Sequence, residues 1–238
     1  MKVIAVVSLV LALAGVLSSG ADAGVPFPPF CTCTTTISQT PTATACITNF
    51  QPDVVRLTPA GTAASPFLFD RVTVSTRVRD AVGDPVVGST VLFAERSSVV
   101  NITNGGATSA MTDAEGSATI TLEAASGHGL VAVCADGVAL CSLEVRSPDA
   151  NLGPSPTLHC GIGTGFTSVS GSDINNPLCG FLANFGLVTP GINNAWDLNC
   201  TNSVAGNDII GGFSNRGAVL GYFGDTGTLG ARNDCSIP

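Results

Sequence analysis

Oxygen-bearing side chains recur at a regular spacing in the stretch DLNCTNSVAGNDII, near the end of the chain. Asp197, Asn199 and Asp208 stand at the first, third and twelfth positions of a twelve-residue span, and calcium-binding loops take side-chain ligands from these positions. Thr201 adds a hydroxyl at the fifth position, and Ser203 adds a backbone carbonyl at the seventh. The spacing predicts a calcium site that is weak, with a dissociation constant on the order of 10⁻⁴ to 10⁻³ M, because only two ligands are charged.

Two other interpretations of this loop stay open. Asn202 stands at the sixth position, where calcium loops have glycine, although asparagine tolerates a positive φ better than most residues. The loop could be a relic that keeps its fold without metal, through Trp196, Val204, Ile209 and disulfides, or the spacing could be a chance match. Calcium is the one cofactor that the sequence indicates.

No group of residues has the spacing of a catalytic site. The chain lacks a G-x-S-x-G motif, and its two histidines, His128 and His159, lie in glycine-rich stretches that predict surface loops. Cys31 and Cys33 are too close along the chain for a usual zinc pair. We therefore predict a protein with no catalytic residues.

The first residues predict export. Lys2 precedes the apolar run VIAVVSLVLALAGVL, and Ala21-Asp22-Ala23 has the small-residue form of a signal-peptidase site. The run is short for a membrane span and no charged flank follows it. We expect a signal peptide over residues 1–23, a mature chain that starts at Gly24 without a transmembrane segment, and a secreted, extracellular or cell-surface location.

The charge of the mature chain argues against a nucleic-acid partner. Removing Lys2 and Asp22 from the totals of nine basic and seventeen acidic residues leaves eight arginines, sixteen acids and a net charge of −8. A protein that neutralises phosphates needs a basic patch, and this chain has none in its sequence.

All nine cysteines follow the predicted cleavage site, so export favours disulfides and the odd number leaves one cysteine over. Cys134 and Cys141 lie on the two arms of a predicted hairpin around Asp136-Gly137. A four-residue loop would bring them into register for a bridge, whereas a two-residue turn would put them out of register, and the sequence leaves both open. The cysteines of the C-terminal region are expected to pair among themselves in an order that the sequence does not decide: Cys160, Cys179, Cys200 and Cys235.

Residues 52–147 have the pattern of a β-sandwich. RVTVSTRVRD and GSATITLEA alternate apolar and polar residues, and Gly, Asp and Pro separate the predicted strands. This region resembles the bacterial Ig-like domains of the invasin/intimin type in three motifs, which occur in the same order: DAVGDPVVG, TDAEGSAT and the final hairpin GLVAVCADGVALCSLEV. The resemblance implies an Ig-like sandwich of about seven strands, with a spacer or adhesive role. Residues 24–51, rich in Cys, Pro and Thr, are interpreted as an N-terminal extension.

The C-terminal region contains an internal repeat. VSGSDI at 169–174 matches VAGNDI at 204–209, and LANFG at 182–186 matches LGYFG at 220–224. Apolar residues follow the first shared Asp-Ile at helical spacing: Leu178, Phe181, Leu182 and Phe185. Those of the second stretch, which glycines weaken, lie near one helix face: Ile209, Phe213, Leu220 and Phe223. We expect two amphipathic helices that bury their apolar stripes against each other, with Trp196 packed between the copies.

A D-x-N precedes each copy, at Asp149 and at Asp197. Such a duplicated unit of D-x-N, loop and helix resembles the type I dockerin, in which two calcium loop–helix repeats dock secreted proteins onto cohesin-bearing partners. The resemblance implies a small α-helical, loop-rich module over residues 149–238 and a cohesin-like or cell-envelope protein as partner. Asp149 and Asp173 are too far apart for one calcium loop, so the first copy is expected to bind calcium more weakly or not at all.

These patterns together predict a mainly β protein, with an Ig-like sandwich followed by a dockerin-like module. The function that they favour is a secreted, non-catalytic adhesion or spacer protein whose tail attaches it to a protein or to the cell envelope. The alternative is an accessory protein that binds carbohydrate or assists polysaccharide degradation. Only 5% of the residues are aromatic, with a single Trp and a single Tyr, and this favours the first function because sugar-binding surfaces use aromatic platforms.

Overall fold

The computed structural model of the chain describes residues 24–38, 54–61, 70–95, 100–103, 107–127, 129–149, 168–175, 180–186, 196, 198, 203–210, 219–224, 227 and 235. Within these residues the protein is mainly β, as predicted, with a few short helices near the C-terminus. None of the helices in this part of the chain is both long and apolar enough to cross a membrane. The predicted signal peptide lies outside the described residues and stays a prediction.

Within the described residues, ten strands, numbered in chain order, build three sheets. Their bounds are β1 Thr32–Ser38, β2 Val54–Arg56, β3 Arg71–Arg77, β4 Thr90–Glu95, β5 Val100–Ile102, β6 Ser109–Met111, β7 Ser117–Leu122, β8 Ala125–Gly127, β9 Gly129–Ala135 and β10 Val138–Arg146. The strand orders are β1-β3-β7, β2-β10-β9-β4-β6 and the small pair β5-β8. Strand β2 runs parallel to β10, and the other ladders are antiparallel.

The two larger sheets face each other across one apolar core, to which each strand contributes every second side chain. Val72 and Val74 of β3 meet Val131 and Val133 of β9 in this core, and all four are fully buried. The alternation that the sequence showed in β3 is therefore the alternation between core and solvent. This two-sheet arrangement confirms the predicted sandwich, with ten strands among the described residues rather than about seven, and β9 and β10 supply its last two strands.

The first strand belongs to the sandwich. β1 pairs with β3 in an antiparallel ladder that runs from Thr32 opposite Arg77 to Ser38 opposite Arg71. Part of the segment that the sequence assigned to an N-terminal extension is thus an edge strand of the three-stranded sheet. The alternation along β1 carries little apolar signal because most of its side chains are threonines.

The two D-A-x-G motifs form the same turn. Asp80 and Asp113 each accept hydrogen bonds at Oδ1 from the backbone N–H groups two and four residues further on, at 2.8 to 3.0 Å. Gly83 and Gly116 follow at φ +90° and +72°, a conformation that favours glycine. The turns also lie against each other, because the Val78 N–H donates to the Gly116 carbonyl at 2.7 Å. The motifs that carry the family resemblance therefore have a structural role at one end of the sandwich.

The last hairpin closes with a two-residue turn, in which Asp136 has φ +47° and Gly137 has φ +83°. Ala139 lies opposite Cys134, and a register shift between Ala139 and Cys141 then places Cys141 opposite Val133. Val133 faces the core and Cys134 faces the outer side of the five-stranded sheet. Cys134 and Cys141 consequently point to opposite faces and do not bridge each other.

Each of these cysteines has another partner. Cys141 bonds to Cys33 of β1, with a Cα–Cα distance of 6.4 Å, and Cys134 bonds to Cys235 near the C-terminus, with a Cα–Cα distance of 6.1 Å. The prediction that Cys235 pairs within the C-terminal region is therefore wrong, because this residue packs beside Cys134 on the outer face of β9. Cys31 is a free thiol among the described residues. Cys160, Cys179 and Cys200 lie outside them.

Digestion with a protease that cleaves before aspartate tests this connectivity, because a cut at Asp136 separates Cys134 from Cys141. Without reduction, we expect peptide 113–135 to be linked to peptide 234–238. We also expect peptide 136–148 to be linked to peptide 24–52. Mass spectrometry before and after reduction measures both links.

The Cys33→Ser variant should lose the second link, and Cys31→Ser should keep it, which assigns the bond within the N-terminal peptide. A direct link between peptides 113–135 and 136–148 in the native protein would contradict the structure.

Candidate functional site

The repeat forms two small, similar units, each with one helical turn and one 3-10 turn. The first unit has α1 (Gly171–Asn175) and a 3-10 turn at Leu182–Asn184, and the second has α2 (Gly206–Ile210) and a 3-10 turn at Val219–Tyr222. The two longer amphipathic helices that the apolar spacing predicted do not appear in these residues. Pro177 follows α1 and Gly211 follows α2, and both residue types end helices.

An aspartate caps each helix from inside its first turn. Asp173 Oδ2 accepts hydrogen bonds from the Ser170 N–H at 2.7 Å and from the Ser170 hydroxyl at 3.1 Å. Asp208 Oδ2 accepts from the Ala205 N–H at 2.9 Å in the same position of the second unit. A carboxylate here satisfies an N–H that the helix leaves unbonded and interacts favourably with the helix dipole. The repeated V-x-G-x-D-I therefore encodes a helix start.

Backbone hydrogen bonds join the two units. The Gly186 N–H of the first unit donates to the Val204 carbonyl of the second, and the Gly224 N–H of the second donates to the Val169 carbonyl of the first, both at 2.8 Å. Side chains from both units share one buried cluster: Val169, Phe181, Trp196, Leu198, Val204 and Val219.

Trp196 belongs to this shared core, and its ring meets that of Phe181 edge to face at 5.8 Å. The prediction that the single tryptophan packs between the copies is confirmed.

Four large apolar side chains of the repeat are about half exposed at the margin of this core. Leu182 and Phe185 in the first unit, and their counterparts Leu220 and Phe223 in the second, are between 47% and 56% exposed. The residue before each leucine, Phe181 or Val219, is fully buried. Each unit thus divides one apolar run between the core and the surface in the same way. The sequence placed these residues in buried stripes, and in this respect the prediction is wrong for all four.

The structure describes two of the five predicted calcium ligands. Asp208 is buried and caps α2, and Ser203 is half-buried at the start of the same unit. Asp197, Asn199 and Thr201 lie outside the described residues, so the calcium site stays a prediction. His128 and His159 lie outside them as well.

A buried ion pair connects the sandwich to the repeat. Arg56 of β2 donates through Nε and Nη2 to the two carboxylate oxygens of Asp70, each at 2.9 Å, and through Nη1 to the Leu198 carbonyl at 3.1 Å. Asp70 is fully buried and Arg56 is 7% exposed. Leu198 lies in the shared core of the repeat, so one guanidinium fixes the position of both parts. The sequence analysis missed this pair, although an arginine within the apolar run VVRL was a visible signal.

A second buried pair lies beside the first. Glu144 and Arg146 of β10 form an ion pair at 2.8 Å on the outer face of the sheet. Arg146 stands next to Arg56 in the parallel ladder between β2 and β10. The outer face of this sheet edge is therefore polar and buried, unlike the apolar inner face.

Comparison with known proteins gives structural similarity only. No family model and no curated protein matches the chain. The adhesin InvE of Yersinia pseudotuberculosis is similar, with 22% identity, a TM-score of 0.30, and coverage of 54% of this chain and 29% of that chain. A C-terminal 282-residue fragment of intimin, solved with the intimin-binding domain of the translocated intimin receptor, is similar at 15% identity and a TM-score of 0.26. It covers 48% of this chain and 33% of that chain, so the protein spans about a third of the length of each structure.

Replacing Asp70 with Asn should destabilise the protein by roughly 3 kcal/mol or more, because a buried guanidinium would lose its charged partner. Chemical denaturation, followed by Trp196 fluorescence for the repeat and by circular dichroism for the strands, measures the change. Arg77→Gln is a matched control, since Arg77 is an exposed arginine at the end of β3. This control should cost less than about 1 kcal/mol. Equal losses in the two variants would contradict the structural role of the buried pair.

Proposed function

We propose that the protein is a secreted, non-catalytic adhesion or spacer protein, in which the Ig-like sandwich is the rigid part and the duplicated module attaches it to a protein of the cell envelope. The observation that carries this proposal is the repeated exposure of Leu182, Phe185, Leu220 and Phe223 at equivalent positions of the two units. The disulfides support a location outside the reducing cytoplasm.

The exposed side chains indicate an interaction site because they recur at equivalent positions of the two units. Single exposed apolar residues are normal on protein surfaces, but contiguous apolar surface marks interaction sites. Here the same leucine and phenylalanine are exposed in both units, while the neighbouring Phe181 and Val219 are buried. A packing defect would not recur at matched positions. A protein partner fits this surface best because aromatic and large aliphatic side chains are typical anchors of protein interfaces.

The expected contribution of these side chains to binding follows from their area. Complete burial of a leucine or phenylalanine contributes about 1.5–3 kcal/mol, and side chains that are already half-buried contribute roughly half of that. A partner that covers one leucine–phenylalanine pair would therefore gain roughly 2 kcal/mol from it. Since 1.4 kcal/mol is a factor of ten in affinity, losing one pair should weaken binding by more than tenfold.

Co-sedimentation with envelopes of the producing cell measures this binding. The double variant Leu220→Ser and Phe223→Ser should bind more than tenfold more weakly than the native protein, because it removes one exposed apolar pair. Its fold is checked by Trp196 fluorescence, since Trp196 lies in the core of the module.

The matched control removes two exposed apolar side chains from the sandwich instead, with Met111→Ser in β6 and Leu130→Ser in β9. This control should bind as the native protein does. Binding that is lost in the control and kept in the module variant would place attachment on the sandwich. Binding to glycans on an array, unchanged in the module variant, would favour the carbohydrate-binding alternative.

We also propose that the second unit binds calcium weakly, through Asp197, Asn199, Thr201, Ser203 and Asp208. Support comes from the ligand spacing and from the position of Ser203 and Asp208 at the start of one unit. Isothermal titration of the mature protein with millimolar calcium should give heat that disappears in Asp197→Asn.

Asp197 is the better residue to replace because Asp208 also caps α2, so its loss would disturb the helix as well as the metal. Glu115→Gln, which removes an exposed carboxylate from a turn of the sandwich, should leave the heat unchanged. Indistinguishable traces for the native protein and Asp197→Asn would mean that the loop is a metal-free relic or that its spacing is a chance match.

A further inference from the structure

The two disulfides that join described residues both end on one hairpin. Cys134 and Cys141 lie in β9 and β10 on either side of the turn at Asp136-Gly137. Cys141 bonds to Cys33, which is 108 residues away along the chain, and Cys134 bonds to Cys235, which is 101 residues away. The two cross-linked loops contain nearly the whole sandwich and the whole duplicated module, and they overlap only in the hairpin.

We propose that this connectivity makes the protein a tension-bearing link, in which force applied at its two ends bypasses the duplicated module and all of the sandwich except the segment from Cys134 to Cys141. The shortest covalent path from Cys33 to Cys235 runs through the first disulfide, the residues from Cys141 back to Cys134, and the second disulfide. Force that enters before Cys33 and leaves after Cys235 follows this path. The remaining residues of the sandwich and of the module carry none of it. This inference concerns force on the two ends of the chain, before Cys33 and after Cys235, and does not depend on the attachment through the module that is proposed above.

The position of Cys33 protects the edge strand. β1 would otherwise be peeled from β3 one residue pair at a time, because force along an antiparallel edge strand can break its hydrogen bonds in sequence. Cys33 is the second residue of β1, so tension reaches only Thr32 before the disulfide transfers it to β10. The ladder from Cys33 to Ser38 stays unloaded.

The loaded hairpin is itself held inside the five-stranded sheet. Cys134 lies opposite Leu92 of β4, on the side away from β10. The Asp136 N–H donates to the Thr90 carbonyl at 3.0 Å, and the Thr90 N–H donates to Asp136 Oδ1 at 2.8 Å. If these contacts broke, the segment from Cys134 to Cys141 could extend to only roughly 25 Å.

The four cysteines outside the described residues do not weaken this inference. Any bond that they form can only shorten the covalent path between Cys33 and Cys235 or leave it unchanged. The path through the hairpin is therefore an upper limit on how far the oxidised protein can lengthen between these two cysteines.

Single-molecule force spectroscopy on the mature chain, tethered at Gly24 and Pro238, tests the proposal. The oxidised protein should lengthen by no more than the hairpin and the short segments outside the two cysteines allow, on the order of 70 Å. Reduction of the same tethered molecules should release both loops and allow an extension on the order of 700 Å. Lengthening of the oxidised native protein by several hundred ångström would overturn the proposal.

Variants assign the effect to the two bonds. Cys33→Ser should release the chain from residue 33 to Cys134 and lengthen under force by on the order of 300 Å. Cys31→Ser is the matched control, because it removes a thiol two residues away that forms no disulfide, and it should behave as the native protein. Circular dichroism before tethering checks that each variant is folded, and Cys235→Ser tests the second bond independently. A Cys33→Ser protein that extends no further than the control would also overturn the proposal.

Discussion

A shift of one residue in the pairing of β9 with β10 determines how the chain is cross-linked. The two-residue turn sets Ala139 opposite Cys134, and regular pairing beyond it would point Cys141 to the same face as Cys134. The bulge before Cys141 instead places it opposite Val133, on the core face. One cysteine therefore reaches the N-terminal strand on the inside of the sandwich, and the other reaches the C-terminal tail on the outside.

The bulge thereby gives the sandwich two attachments on opposite faces of one sheet. On the core face, Cys141 holds β1 at the edge of the opposing sheet. On the outer face, Cys134 of the central strand β9 holds the tail, while Arg56 of the edge strand β2 binds Asp70 and the Leu198 carbonyl. Because a buried guanidinium requires partners for its charge and its N–H groups, the module is positioned by a polar requirement at one edge of the sheet and by a covalent bond at its central strand. Neither contact is adaptable, so the two parts should move together.

The sequence was informative where local geometry decides the structure. The alternation in β3 and the aspartate–glycine turns depend on residues within a few positions of each other, and both were predicted. The pairing of β1 was not, because threonines give no contrast between core and solvent. The disulfide partners were not predicted either, because they depend on a bulge in the pairing of β9 with β10. In the repeat, Phe181, Leu182 and Phe185 have the spacing of a helix stripe, but a tight 3-10 turn separates them into buried and exposed residues.

In the duplicated module, the structure of the buried core and that of the exposed surface depend on each other. Each unit is too short to bury its own apolar residues, and each completes the backbone hydrogen bonds of the other through Gly186 and Gly224. A change that loosens one unit therefore releases the other as well. The exposed leucines and phenylalanines immediately precede these glycines in the chain or lie one turn before them, so the bonds that join the units also hold the surface. A partner that contacts one unit would therefore bind a surface whose shape depends on both units.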